Sequence, residues 1–323
     1  MPYTQVANLD FEDIKAQLKE YLRAQSDFTD YDFEGSALAT LIDTLAYNTY
    51  YTAFNTNMVV NEMFLDSATL RDNVVALAKQ LGYRAKSITA PVAYIDFTAT
   101  YANPTTDAEL ILKAGTGFVA SYDETLYQYV TLEDVKVQVT GGNTATFAQV
   151  PVREGTQITN TYTINTSLAN QKFILDNKNI DTNTIRVKVY PAGGSYSEPY
   201  FVSDNILEAN SEAKVFFLDE IEDERYEIIF GDGVIGYALP NGARVEVTYL
   251  TTSGPSSNGV KSFVFSGVLE TVNGVNPNTS VSIGTVVASA GGEERESTQK
   301  IKYNAPKIYA AQNRAVHQMT MML

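Results

Sequence analysis

The chain has no cysteine, no tryptophan and a single histidine, and it carries only 23 Lys and Arg against 38 Asp and Glu. Without cysteine there are no disulfides, thiolate metal sites or thiol nucleophiles, so Cys-His chemistry is excluded. The one histidine, His317, lies close to the C-terminal end, and any Ser-His-Asp triad would depend on it alone. No hydrophobic run approaches the roughly 20 residues needed to span a bilayer. The start, MPYTQVANLDFEDIKAQ, lacks the basic and apolar regions of a secretory signal. These absences predict a soluble, unexported protein with no membrane partner.

Positive charge is scarce as well. The net charge is −15, distributed as −5 over residues 1–86, −12 over 87–290 and +2 over 291–323. Nucleic-acid binding needs clustered Lys and Arg, and the densest series is Lys300, Lys302, Lys307 and Arg314. No nucleic-acid partner is expected.

What the chain does have begins with helices. Asp10 is a good N-cap, and Phe11, Ile14, Leu18, Tyr21 and Leu22 recur at helical spacing, predicting a first helix over about 10–25. The acidic, aromatic stretch 26–35 reads as a loop. A long helix over about 36–65 follows, roughly 45 Å at 1.5 Å per residue, and a third opens at Asp66 or Ser67 and closes at Gly82.

The long helix carries two apolar stripes where a surface helix needs one. Leu38, Leu41, Ile42, Leu45, Val59, Val60 and Met63 form the first, and Tyr47, Tyr50, Tyr51, Phe54 and Met58 the second. Asn57, Asn61 and Asp43 mark one polar seam between them, and Asn48, Asn55 and Glu62 the other. The chain's own first and third helices can cover the leucine stripe. The tyrosine stripe is expected to be a subunit interface, consistent with 21 Tyr in a chain without Trp.

From Ser87 to about residue 290 the periodicity falls to two, with Val-, Ile-, Tyr-, Phe- and Thr-rich runs between Gly-Gly and Asn-Gly turns. The fold class is therefore α+β. A helical bundling module over 1–86 is followed by one or two antiparallel β-rich domains, at 87–160 and 161–292, and a further region begins at 293–323.

Chemistry-bearing motifs are few. Gly231-Asp-Gly233-Val-Ile-Gly236 matches G-x-G-x-x-G but leads into Pro240-Asn241-Gly242 and a strand, not a helix. It reads as two tight hairpins with positive φ at Asp232-Gly233 and Asn241-Gly242, not as a nucleotide site. The acidic run Asp219, Glu220, Glu222, Asp223, Glu224 lacks a calcium-loop spacing and reads as a solvated turn. No catalytic residue, cofactor, metal or small-molecule substrate is assigned.

LAYNTYYTAFNTNMVVNEMFLDSATLRDNVVALAKQLGY resembles the N-terminal helical region of baseplate wedge subunits of T-even-like contractile-tailed bacteriophages, within the broad baseplate J-like group. YEIIFGDGVIGYALPNGARVEVTYLTTSGPSSN, GGEERESTQKIKYNAP and IYAAQNRAV are similar to further blocks of that family. The resemblance implies a structural virion protein of the tail baseplate, assembled in the host cytoplasm. It implies bundling with a second copy of itself and with other wedge proteins, and no enzymatic activity. It also implies several hundred residues beyond QNRAV, so a truncated, split or shorter relative is expected. The Tyr-rich β region leaves a carbohydrate-binding or adhesive tail module as the alternative.

Overall fold

The computed structural model describes residues 5–7, 9–25, 37–102, 108–168, 171–203, 210–275, 277 and 279–311. The loop expected at 26–35 and His317 lie outside the described residues. Three helices precede a β-rich region, so the α+β class holds. Two compact units result, one made of residues up to 84 with those from 297 onward, the other of residues 85–296.

The first unit holds α1 (Phe11–Arg23), α2 (Ala37–Glu62), α3 (Arg71–Gln80) and α4 (Thr298–Ala311). Asp10 caps α1, its carboxylate accepting from the amides of Glu12 and Asp13. α1 packs on α2, with Ile14 buried and Lys15 paired to Asp43 at 2.6 Å. Leu70, not Asp66 or Ser67, is the N-cap of α3, and it has no capping side chain of its own. Glu62 replaces it from the end of α2: its carboxylate accepts from the Thr69 amide at 2.8 Å, the Thr69 hydroxyl at 2.6 Å and Asn73 Nδ2 at 2.9 Å. Gly82 ends α3 at φ +76, and the Tyr83 amide closes back on the Ala78 carbonyl.

The second unit opens with β1 (Val92–Tyr101), β2 (Glu109–Leu112), β3 (Gly117–Tyr122), β4 (Thr125–Val130), β5 (Val135–Gln138) and β6 (Thr144–Glu154). It continues with β7 (Thr156–Thr163), β8 (Phe173–Leu175), β9 (Ile180–Tyr190), β10 (Glu198–Val202), β11 (Val215–Ile221), β12 (Arg225–Phe230) and β13 (Arg244–Thr251), then β14 (Val264–Phe265), β15 (Leu269–Thr271) and β16 (Thr279–Ala290). A six-stranded sheet runs β14-β3-β4-β6-β1-β16, a seven-stranded sheet β7-β13-β9-β10-β11-β12-β8, and a small sheet β15-β2-β5.

Two cores form within this unit. Period-two alternation in β1 buries Ala93, Ile95, Phe97, Ala99 and Tyr101. Phe97 stacks on Phe147 at 4.5 Å and meets Phe118 edge-on at 5.8 Å. Each such ring contributes roughly 1.5–3 kcal/mol by leaving water. Gln149, at φ +49, makes a bulge in β6, and its amide donates to Asp96 Oδ1 at 2.6 Å. The second core gathers Leu175, Ile180, Val187, Phe216, Ile228, Val245, Val247 and Tyr249. Burial pushes the Tyr249 pKa up to about 12, and its hydroxyl donates to Asn177 Oδ1 at 2.6 Å.

The second core is inserted into the first. Residues 93–152 and 260–269 share the first core, whereas 164–249 build the second. The chain passes to the insert through β7 and returns through β13, and these strands pair from Thr156 with Thr251 to Thr163 with Arg244. A buried carboxylate joins the two crossings: Glu154 accepts from the Thr252 hydroxyl and from the Ser253 amide at 3.0 Å. The ends of the unit meet in the same way. Thr89 and Glu293 exchange backbone hydrogen bonds, and the Glu296 amide donates to the Lys86 carbonyl at 3.0 Å.

Candidate functional site

α2 has three stripes, not two. Its buried stripe is Ile42, Ala46, Ala53, Asn57 and Asn61, so the helix meets its own chain along residues that include the seam expected to be polar. Two alanines allow close approach, and both asparagines are hydrogen-bonded. Asn57 Oδ1 accepts from the Val6 amide at 2.7 Å and the Ala7 amide at 3.0 Å, while its Nδ2 donates to the Ala7 carbonyl at 2.9 Å. Asn61 Nδ2 donates to the Asn57 carbonyl at 2.7 Å. The spacing of Ala46, Ala53, Asn57 and Asn61 along one side carried this signal in the sequence.

The leucine stripe is covered only in part, contrary to expectation, with Leu38 and Val60 half-buried. Ile42 is buried, but Leu41, Leu45, Val59 and Met63 are 55–62% exposed. The reason is rotational: packing on the Ala-Asn line turns these four away from the unit's core. On the other flank Tyr47, Tyr51, Phe54 and Met58 are 43–56% exposed, and Tyr50 is intermediate. Tyr47 and Tyr51 meet edge-on at 4.8 Å, and Tyr50 and Tyr51 at 6.2 Å. The hydrogen bond with Tyr51, then burial and the neighbouring Tyr51 and Tyr50, raise the Tyr47 pKa. Among the described residues no helix is long and apolar enough to cross a membrane.

Residues 10–83 match the family described as baseplate wedge protein gp6-like, helical domain. Across 311 residues the chain is 30% identical to the baseplate wedge protein gp6 of Enterobacteria phage T4. Residues 10–83 carry the helical domain of gp6-like baseplate wedge proteins. The alignment covers 90% of this gp6-like chain and 46% of that relative, so the chain spans about half the relative's length. A solved structure of the anti-feeding prophage baseplate, 6-fold symmetrised, matches over 98% of the chain and 63% of its own at 12% identity and a TM-score of 0.28.

Elsewhere in the gp6-like chain, the glycine motif is shaped for a turn. Asp232 Oδ1 accepts from the Val234 and Ile235 amides, each at 2.9 Å. These bonds, that of Ile235 first, lower its pKa. A Cβ on Gly231 would lie 2.3 Å from the Gly236 carbonyl carbon, which explains the glycine there. The hairpin reading does not survive: β12 and β13, which flank the motif, are separated in the sheet by β9, β10 and β11. Positive φ belongs to Gly233 and Gly242, not to Asp232 or Asn241.

The acidic run spans β11 and the short turn into β12. Asp223 and Glu224 adopt φ of 61 and 63, and Arg295 pairs with Glu224. Among the described residues no group of three His, Cys, Asp or Glu is arranged to hold a metal ion.

Proposed function

We propose that the chain is a structural, non-catalytic subunit of a contractile-tail baseplate wedge and that α2 is its assembly surface. The observation that carries this reading is the pair of exposed apolar stripes on one 26-residue helix inside the gp6-like helical region. Tyr47, Tyr50, Tyr51, Phe54 and Met58 form one contact, and Leu41, Leu45, Val59 and Met63 the other. Two stripes call for two neighbours: a second copy of the chain and another wedge protein. Covering a half-exposed side chain of this size recovers roughly 1 kcal/mol, so either stripe can supply several kcal/mol toward association.

Co-expression with candidate wedge proteins, followed by copurification, tests the reading. Tyr51→Lys with Phe54→Asp should remove one partner, and Leu45→Asp with Val59→Asp the other, each at least tenfold, with unchanged helical circular dichroism. Equal copurification of all variants would end it. A glycan-array signal without wedge copurification would favour the adhesive alternative.

A further inference from the structure

Three strand edges converge on one side of the first β core. β14 and β16 are the two edges of the six-stranded sheet, β15 is an edge of the small sheet, and β14 lies beside β16. Between them is an open groove of about 680 Å³, lined by Phe263, Phe265, Val268, Leu269, Val281 and Ile283.

The core is incompletely closed here. Phe97, Phe118 and Phe147, from the middle of the same sheet, are essentially buried, whereas Phe265, Val281 and Ile283 remain only partly so. Along residues 281–287, β16 pairs with β1 on one side, and among the described residues no strand pairs with its other side. That stretch offers about 23 Å of edge at ~3.3 Å per residue, with a bulge at residues 284 and 285 opposite Asp96. An unpaired edge beside exposed core side chains is a template for an added strand.

We propose that this groove accepts an extended segment of another polypeptide, which pairs along β16 and completes the core. Chemistry defines the segment. Among the described residues no charged side chain lines the groove, so charges in the paired stretch would be desolvated without partners, and alternate side chains must be apolar. Outside that stretch, the −5 of residues 87–155 and 252–290, which carry the first core, favours basic flanks. The partner is thus an uncharged strand of alternating apolar residues between lysines or arginines. This proposal is independent of the α2 reading.

The probe is a fluorescein-labelled peptide, KKTVTVTVKK, with the full chain, compared with a peptide in which two central residues are proline. Micromolar binding is expected by anisotropy, at least tenfold weaker for the proline peptide, which lacks the required N–H donors. Bound peptide should slow amide exchange in β14 and in residues 281–287. Val264→Lys and Val268→Lys, at exposed positions, should each weaken binding about tenfold without shifting the urea midpoint. No binding at millimolar peptide, equal binding of the proline peptide, or protection confined to the other long edge, β7, would overturn the proposal. So would a groove already closed by a second copy, seen as self-association that peptide cannot displace.

Discussion

Asn57 does in one side chain what a short strand does with its backbone. Its amide both donates to and accepts from the chain at residues 6 and 7, in a position fully shielded from solvent. Asn57→Ala leaves those backbone groups without partners and should cost about 1–3 kcal/mol in urea unfolding. Asn57→Asp would bury a carboxylate with one oxygen against the Ala7 carbonyl, so at neutral pH it should cost at least as much as alanine; an alanine variant as stable as wild type would contradict this account. The position was visible in the sequence as a polar residue between apolar stripes. Its burial was not, because periodicity marks a seam as polar without saying whether solvent or backbone satisfies it. The Tyr47 to Met58 stripe was legible for the opposite reason, since five large side chains on one side of a helix leave a strong periodic trace.

A helix and its turn are the next scale, and here Glu62 decides where α3 begins. Burial raises its pKa, but hydrogen bonds from Thr69 and Asn73 and from the Thr69 and Leu70 amides outweigh this and hold it below the ordinary 4.5. The sign follows: the ionised carboxylate stabilises the folded turn above its unfolded pKa, and that contribution is lost as pH falls through the lower folded value. Acidification below about pH 4.5 should therefore lower the amide protection factors of residues 69–74, taken relative to the intrinsic exchange rate at each pH, and Glu62→Gln should remove that pH dependence. The glutamine variant should be less stable at neutral pH by on the order of 1 kcal/mol, as for a lost cap. Unchanged protection factors in wild type between pH 6 and 3 would refute it. Strand legibility followed composition. β1, β9 and β13 are marked by Val, Ile and aromatic alternation, whereas β16, TSVSIGTVVASA, is rich in small and hydroxyl residues and leaves a weaker trace. The hairpin reading of the glycine motif failed because tight-turn chemistry says that the chain reverses, not which strand it joins.

In the molecule as a whole, the β region is nested: the second core hangs between two paired strands of a unit that itself begins and ends side by side. Class and helix order could be read along the chain, but nesting depends on contacts such as β1 with β16, nearly two hundred residues apart, which local pattern does not encode. The two cores share buried polar ties. Glu154 joins the two crossings, and Asp181 of the insert accepts from the Ala90 amide at 3.0 Å. Glu154→Ala should thus lower stability by about 2–3 kcal/mol, and exchange in β1 and β9 should rise together. Acceleration in β9 alone would mean the cores unfold independently.

The paired ends of residues 85–296 also set a mechanical load path. Tension that reaches the β region from α3 and α4 meets first the hydrogen bond from the Glu296 amide to the Lys86 carbonyl, then the bridge between Thr89 and Glu293 and the ladder joining β1 to β16. Pulled from that end, the ladder opens like a zipper, one rung at a time, and part of the load passes into the inserted core through Ser87 with Thr182, Ala90 with Asp181 and Arg295 with Asn179. Moderate pulls are therefore absorbed by a few replaceable hydrogen bonds where the paired ends meet the insert.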